Sequence, residues 1–214
     1  MNAVRHYERS SATIYHHEEA YLQREIEALD KTEYVAGVLY PRWEMMAGGR
    51  LMHNALCVNI STALRNKLRG KGCSTFSSDT RVFTNRTPAY LYSDVTVLCG
   101  KPDLCKHHSL VNPTLLVEVT SPSSVDYDRT TKLVIYDGIP SVQEYLIVSH
   151  TTQEIMLFRR DSHGRLAFVE VATDTLTLQS VQCTLDLQEI YEDVSFEANE
   201  ETDEEPEDDF ADNK

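Results

Sequence analysis

The sequence predicts a mixed α/β fold, in which helices flank a mixed β-sheet. Two patterns of helical period come early in the chain, and strand-forming runs of β-branched and aromatic residues follow. A further helical pattern lies between two of these runs, as expected of a crossover in an α/β or α+β protein. The 214 residues, 41% of them apolar, are enough for one domain with a sizeable core.

Three segments have the pattern of a helix. His17–Leu29 is amphipathic, and His53–Leu68 is the clearest helix and stops before Gly70. Arg129–Asp137 has Asp128 as its expected N-cap and Gly138 at its end. The apolar stripes of the first two helices are Leu22, Ile26 and Leu29, and Leu56, Ile60, Ala63, Leu64 and Leu68.

Strands are predicted wherever β-branched or aromatic runs are bounded by turn residues. These runs are Tyr34–Tyr40, Arg42–Gly48 before the Gly48-Gly49 turn, Arg81–Thr84, Leu91–Cys99, Thr114–Ser121 and Val142–Ser149. Two more, "EIMLFRR" and "LAFVEVA", flank "DSHGR" and therefore predict a hairpin.

The acidic charge is concentrated in the last residues. Residues 197–214 hold ten acids and one base, so they contribute −9 to the net charge of −14 and leave −5 for residues 1–196. We therefore expect a folded domain over 1–196 and a disordered acidic tail over 197–214. A solubilising role for the tail is favoured, with an interaction arm, a DNA mimic or a self-inhibitory segment as alternatives.

The composition predicts a cytoplasmic protein without a membrane segment. No apolar run has the length of a signal peptide or of a membrane span. The five cysteines include no CxxC pair, which favours reduced thiols over a disulfide framework.

The strand "LLVEV" raises a chemical question, because it carries Glu118 among apolar residues. A buried carboxylate is costly unless something holds its charge. If the preceding strand lies alongside, Asp94 can come close to Glu118, and a divalent cation such as Mg²⁺ or Mn²⁺ would stabilise the two carboxylates. Lys132, on the following helix, is a second candidate partner, and a structural ion pair between Glu118 and Lys132 is the alternative.

Several segments resemble the Uma-two proteins, which are restriction-endonuclease-like members of the PD-(D/E)XK nuclease superfamily. They are "EYVAGVLY", "MAGGRLMHNALCVNI", "YLYSDVTVLCG", "LLVEVTSPSSVDYDRTTKLVIYDGI" and "QEYLIV", and the resemblance covers Tyr15 to Asp193. An ordered series of motifs is far more specific than a single pair of acids. The resemblance implies a restriction-endonuclease-like core.

The resemblance also implies a set of site residues. Asp94, Glu118 and the backbone carbonyl of Val119 match the metal ligands, and Glu33 matches an upstream glutamate of the first-helix region. Thr120 stands where the superfamily lysine is expected, and Lys132 matches the lysine that this family carries on the following helix. His53 matches a family histidine, and it can be either a wall of the site or a structural cap.

The implied activity is Mg²⁺- or Mn²⁺-dependent hydrolysis of DNA phosphodiesters by a homodimer. A binding module that keeps the nuclease fold without turnover is the alternative, and the same site could also hydrolyse another phosphoester. The acidic balance and Thr120 favour the binding module, since DNA binding draws on Lys and Arg. One basic patch is present at the end of the second helix, formed by Arg65, Lys67, Arg69 and Lys71.

Overall fold

A six-stranded mixed sheet forms the centre of the fold in the computed structural model, which describes residues 16–42, 50–120 and 124–196. Its strand order is β10-β9-β8-β7-β6-β3, in which β7 and β8 are parallel and the other neighbours are antiparallel. The strands are β3 (Cys73–Ser77), β6 (Val95–Cys99), β7 (Leu115–Val119), β8 (Glu144–Val148), β9 (Ile155–Arg160) and β10 (Leu166–Ala172).

A second sheet of four strands packs beside the first and has the order β2-β1-β5-β4. Its strands are β1 (Thr32–Val35), β2 (Val38–Pro41), β4 (Arg81–Thr84) and β5 (Ala89–Tyr92). A small hairpin of β11 (Thr175–Leu178) and β12 (Cys183–Asp186) completes the strands of the described residues.

Within the described ranges, four helical segments flank these sheets. They are α1 (Glu18–Glu27), α2 (Arg50–Lys67), α3 (residues 125–137) and α4 (Leu187–Ile190), with a short 3₁₀ turn at Lys106–His108. The segment α3 connects the parallel strands β7 and β8, which is the crossover that a parallel pair requires. The mixed α/β class is therefore confirmed.

The long helix α2 packs on one face of the six-stranded sheet. The predicted stripe of this helix is buried at every position, and it contacts β7, β8 and the β11–β12 hairpin in one apolar cluster. The first helix differs from its prediction, because it buries Tyr21 and Leu22 while Ile26 and Leu29 lie exposed. A ring stack of Tyr21 on Tyr34 anchors it to β1 instead.

Two runs predicted as single strands are each two strands. "YVAGVLY" is a hairpin of β1 and β2, because Ala36 and Gly37 both adopt positive φ, as the tight two-residue turn of a hairpin requires. "LYSDVTVLC" is divided after Tyr92, so that β5 belongs to the four-stranded sheet and β6 to the six-stranded sheet. The chain changes sheets at Ser93 and Asp94.

The crossover α3 begins earlier than predicted. It starts at Val125, and its central part, Asp128–Lys132, is a π-helix between two α-helical pieces. Asp128 is therefore not an N-cap but a buried residue inside the segment. The predicted end at Gly138 is confirmed.

The expectation of reduced thiols is wrong for two cysteines. Cys73 and Cys99 lie opposite each other on β3 and β6 and form a disulfide. Cys57, Cys105 and Cys183 are not part of a disulfide. The strand β3 was absent from the sequence prediction, so nothing pointed to this pairing.

Some predictions fall outside the described residues. The strand Arg42–Gly48 lies outside them beyond Arg42, as do the Gly48-Gly49 turn and the acidic tail. Among the helices of the described residues, none has the length and apolar character needed to span a membrane.

Candidate functional site

Asp94 lies where the chain leaves one sheet and enters the other, and the antiparallel register of β6 and β7 places it beside Glu118. Val95 pairs with Val117, so the next positions toward the same edge are Asp94 and Glu118. Both carboxylates are buried, with exposed fractions of 4% and 2%. The prediction that these two acids meet across neighbouring strands agrees with the geometry.

Three donors hold the carboxylate of Asp94. Arg42 Nη2 lies 2.7 Å from Oδ1, while the backbone amide of Val119 donates to Oδ2 at 2.8 Å. His53 Nε2 lies 3.2 Å from the same Oδ2, so this histidine forms a wall of the site. The Asp94 side chain is fixed in place from the helix α2, the strand β7 and the segment after β2.

Glu118 is held from the helical segment α3. Lys132 Nζ lies 3.0 Å from Oε2, and the Tyr136 hydroxyl donates to Oε1 at 2.8 Å. Lys132 and Tyr136 therefore point toward the sheet, as their spacing predicted, whereas Arg129 on the same predicted face is exposed. Lys132 is therefore the oppositely charged partner that the buried carboxylate of Glu118 requires.

Glu33 belongs to the same cluster, although it lies on the strand β1 rather than in the first-helix region. It is fully buried, and its Oε1 lies 3.2 Å from Lys132 Nζ and 3.3 Å from Arg42 Nη1. The backbone amide of Tyr92 donates to the same oxygen at 3.0 Å. The other oxygen, Oε2, is buried and has no hydrogen-bond partner among the described residues.

Sequence reasoning missed two charged members of the cluster. Arg42 joins Glu33, Asp94 and the carbonyl oxygen of Tyr92, and nothing around it in the sequence pointed to the site. Asp128 Oδ1 lies 3.6 Å from Lys132 Nζ. The i, i+4 spacing of Asp128 and Lys132 in "DRTTK" indicates an ion pair on one helix face, but Asp128 was expected to be the N-cap of the helix instead.

Burial and neighbouring charges move the pKa values of the two central acids in opposite directions. Burial would raise the pKa of Asp94, but the hydrogen bond from His53 and the charge of Arg42 outweigh it and lower this pKa below its usual range. Burial raises the pKa of Glu118 well above its usual range, because the charge of Lys132 offsets only part of the desolvation. Asp94 is therefore the stronger acid of the pair.

The cations of the cluster stay charged. Burial would lower the pKa of Lys132, but the carboxylates of Glu118, Glu33 and Asp128 outweigh it and raise this pKa above its usual range.

Tyr127 lies beside this lysine and stays neutral. Burial raises the pKa of the Tyr127 hydroxyl, and the charge of Glu33 adds to the effect. The ring of Tyr127 covers Lys132, with 5.7 Å between Nζ and the ring centroid.

The cluster fits a divalent cation in charge and in size. Four buried carboxylates (Glu33, Asp94, Glu118 and Asp128) face Arg42 and Lys132, so the formal charge is −2 when all are ionised and His53 is neutral. Residues of the cluster line a cavity of about 20 Å³, which has room for one water-sized species. An oxygen-rich set of this kind suits Mg²⁺ or Mn²⁺.

A second set of possible metal donors shares Asp94. One donor atom each from His53, Cys57 and Asp94 lies within 4.8 Å of the others. The imidazole lies between its two partners, however, since Nδ1 faces Cys57 Sγ at 3.6 Å while Nε2 faces Asp94. Burial raises the pKa of the Cys57 thiol, which opposes its use as a thiolate ligand.

Thr120 does not replace the superfamily lysine. Its hydroxyl donates to the carbonyl oxygen of Val148 at 3.2 Å, which extends the pairing of β7 with β8 by one position. The ammonium of Lys132 reaches Glu118 from α3 instead. This position of the lysine agrees with the one implied by the resemblance.

The basic patch at the end of α2 lies away from the cluster. Arg65 is 12 residues beyond His53, which corresponds to about 18 Å along a helix axis. Lys67 pairs with Glu189, and Lys71 donates to the carbonyl oxygen of Gln182. The patch therefore contributes no charge to the site itself.

The fold and the position of the acidic cluster place the chain in the class of restriction-endonuclease-like α/β proteins. Residues 18–195 match the Uma2 family, whose description is "Putative restriction endonuclease". The chain belongs to the Uma2 family.

The chain is also similar to two relatives and to one solved structure. "Uncharacterized protein slr1290" of Synechocystis sp. is 35% identical over 179 residues, which cover 83% of this chain and 92% of that protein. "Uncharacterized protein sll1609" of the same organism is 34% identical over 130 residues, 60% of this chain and 71% of that protein. The structure of "a putative nuclease belonging to DUF820" from Anabaena variabilis superposes with a TM-score of 0.61 at 13% identity, covering 79% of this chain and 96% of that one.

The last comparison bears on the fold alone, since the sequence identity is low. Family and fold together support a nuclease-type function for this chain.

Proposed function

We propose that the protein is a Mg²⁺- or Mn²⁺-dependent endonuclease that hydrolyses phosphodiester bonds of DNA. The observation that carries the proposal is a buried cluster of four carboxylates and two cations, of which Asp94, Glu118, Asp128, Arg42 and Lys132 line a cavity of about 20 Å³. When all four carboxylates are ionised they exceed the two cations by two charges, and a divalent cation would stabilise this ionised state. An ion pair kept for structure alone would need one lysine and one carboxylate, not this surplus of acids.

Asp94, Glu118 and the carbonyl oxygen of Val119 would hold the ion. The low pKa keeps Asp94 ionised, and Arg42, His53 and the Val119 amide fix its carboxylate at the edge of the cavity, where a bound cation would share its oxygens with these donors. The chemistry that a divalent ion held by these residues would supply is activation of a water molecule and stabilisation of the negative charge on the phosphoryl oxygens.

The remaining residues of the cluster orient and balance these groups. Lys132 Nζ stands between Glu118 and Glu33, where it can hold an attacking water or share the charge of the phosphate. Tyr136 fixes the rotamer of Glu118 through its hydrogen bond. Arg42 keeps Glu33 and Asp94 together, so it is a positioning residue.

The test is cleavage of plasmid, single-stranded DNA and RNA in Mg²⁺, Mn²⁺ and EDTA. Wild type should cut DNA only with a divalent cation, and Glu118→Ala should be slower by at least about a hundredfold. Glu170→Ala, which removes an exposed carboxylate of β10, is the matched control for contaminating nucleases. Equal cutting by wild type and Glu118→Ala would refute the proposal.

A thermal-shift measurement gives a readout without turnover. Mg²⁺ or Mn²⁺ should raise the melting temperature of wild type and of Glu170→Ala, but not that of Asp94→Asn. Asparagine keeps the shape of the side chain and removes its charge, so the loss of the shift would report on the ion.

The second candidate function is a binding module that keeps the fold without catalysis. The net charge of −14 and Thr120 at the superfamily lysine position favour it. Metal-dependent nucleic-acid binding with no cleavage of any substrate in either metal would support this function over the first.

A further inference from the structure

A second cavity opens directly beside the carboxylate cluster. Its volume is about 360 Å³, so it is far larger than the ion-sized cavity and has room for a nucleoside. The two cavities share the end of β7 and the first turns of α3 as walls. At three places along these walls, one residue lines the smaller cavity and the next residue in sequence lines the larger one. The residues of the smaller cavity are Val119, Ser124 and Asp128, and those of the larger cavity are Thr120, Val125 and Arg129.

The walls of the larger cavity are apolar, hydroxyl-bearing and, at Arg129, His150 and Glu154, titratable. Val125, Ile147 and Met156 offer apolar surface, while Thr151 and Thr152 bring hydroxyls from the turn after β8. Apolar surface for a ring face and hydroxyls for its polar edge are the features of a nucleobase site. An isolated phosphate would need neither the volume nor the apolar walls.

One cation at this cavity has no hydrogen-bond or ion-pair partner in the part of the chain that the structure describes. The Arg129 side chain is exposed, and it makes no hydrogen bond or ion pair with any residue in the described ranges. The adjacent residue Asp128 belongs to the acidic cluster. A guanidinium left unpaired next to buried carboxylates is suited to a phosphate that approaches the cluster.

We propose that this cavity binds an unstacked nucleobase next to the scissile phosphate, with Arg129 on the neighbouring phosphate of the same strand. The inference rests on the proposed function and adds a substrate class, because a base can enter the cavity only after it has left the stack. Single-stranded or distorted nucleic acid is therefore the preferred substrate over perfect duplex.

The distribution of charge supports this preference. Binding a duplex through its backbone draws on many Lys and Arg contacts, but the basic patch of α2 lies about 18 Å along the helix from His53. Two members of that patch are already engaged by Glu189 and Gln182. With few cations near the site, base contacts have to supply a larger share of the affinity.

The experiment measures binding, so that it stands apart from cleavage. Fluorescence anisotropy of labelled oligonucleotides in Ca²⁺ compares single-stranded DNA, single-stranded RNA, a mismatched duplex and a matched duplex, with gels to confirm intact strands. A 2-aminopurine base in each strand reports unstacking and entry into an apolar site.

Two variants test the cavity and two serve as matched controls. Thr152→Trp fills the cavity, and Arg129→Ala removes its cation; both side chains are exposed, so the fold should be kept. Thr173→Trp and Arg24→Ala make the same changes at exposed positions elsewhere. Wild type should bind a single strand about tenfold tighter than matched duplex, and each cavity variant should lose about tenfold in affinity for the single strand, unlike the controls.

Equal binding of single strand and matched duplex, or wild-type affinity in Thr152→Trp, would overturn the inference, as would the absence of any binding. A failure of the proposed nuclease function gives a different combination of binding and cleavage results. Loss of binding in the cavity variants, combined with no cleavage by wild type in either metal, would keep the nucleobase site and remove the nuclease activity. Cleavage unaffected by Thr152→Trp would keep the activity and remove the site. A preference for RNA or for DNA strands would identify which of the two is bound.

Discussion

At Lys132, one ammonium group faces three buried carboxylates. Its Nζ lies 3.0 Å from Glu118, 3.2 Å from Glu33 and 3.6 Å from Asp128. Removal of one member of a buried charge network leaves the others uncompensated, and this is more costly than the net contribution of the pair. Lys132 is therefore as important for stability as it is for the proposed chemistry.

We predict that Lys132→Met lowers the free energy of unfolding by about 3–5 kcal/mol in EDTA. Mg²⁺ should restore part of this loss, since a divalent cation supplies positive charge to the same carboxylates. Urea unfolding with and without Mg²⁺ measures both effects. Lys101→Met, at an exposed lysine, is the control, and an equal loss in both variants would contradict the prediction.

His150 gives a pH dependence that can be tested separately. Burial lowers its pKa from the ordinary value of about 6.5, while the backbone of Thr120 opposes this effect and His53 adds to it. The unfolded chain therefore takes up a proton on His150 at a higher pH than the folded chain. The stability contributed by neutral His150 is complete above pH 6.5 and is lost as the pH falls through the folded pKa.

We predict that the stability difference between wild type and His150→Gln shrinks or reverses between about pH 7.5 and 5.5. Urea unfolding across this range measures it, with His163→Gln in the exposed β9–β10 turn as the comparison. The effect is modest, because the His150 side chain is only partly buried. A difference that grows toward low pH would show that the sign is wrong.

Residue by residue, the sequence identified the acids better than the cations. Glu118 was found because a carboxylate inside an apolar strand needs a partner, and Asp94 and Lys132 followed as groups that neighbouring elements could bring to it. Glu33 and His53 came from the motif resemblance. Their common location agrees with the structure. Arg42 could not be found in this way, because its partners lie on β1, β5 and the link to β6, and no local pattern joins them.

Among the elements, the strand β3 and its disulfide were beyond the sequence prediction. "CSTFS" has few apolar residues, and most of its residues are exposed because β3 is an edge strand. It is joined to the sheet by its pairing with β6 and by the disulfide between Cys73 on β3 and Cys99 on β6. The buried stripe of α2 was predicted correctly, since it is a local pattern. The buried face of α1 and the division of "LYSDVTVLC" were not, because they depend on which elements pack or pair with each segment.

We predict that reduction of the disulfide lowers the free energy of unfolding by about 2–4 kcal/mol, since the bond closes a loop of 26 residues. Urea unfolding with and without dithiothreitol measures the change, after peptide mapping has confirmed the bond. Cys73→Ser should reproduce the loss, and Cys57→Ser is the control at a cysteine outside the disulfide. If reduction leaves the unfolding midpoint unchanged, the bond does not contribute to stability.

The π-helical part of α3 explains how this segment keeps one face on the site. Ser124, Asp128, Lys132 and Tyr136 follow each other at intervals of four. In a regular α-helix, an interval of four advances by more than one turn, so the side chains drift around the axis. A π-helical turn holds more residues, which cancels part of the drift and keeps Lys132 and Tyr136 on the side of Glu118.

At the scale of the molecule, homodimerisation stays a prediction that comes from the superfamily resemblance. Static light scattering on eluting protein measures it directly, because one chain has a mass of 24.4 kDa. A mass near twice this value, unchanged on dilution through the micromolar range, is the expected result. A single-chain mass at all concentrations would contradict it.

The charge cluster also has a consequence for how the molecule unfolds. Glu33 belongs to the four-stranded sheet, Glu118 to the six-stranded sheet and Lys132 to the crossover, so the network joins elements about 100 residues apart in sequence. If either sheet opened alone, it would leave buried charges without partners, at a cost of several kcal/mol. The amides of β1 and β7 should therefore exchange with deuterium through one shared opening, and the molecule should melt as a single cooperative unit even though its strands form separate sheets.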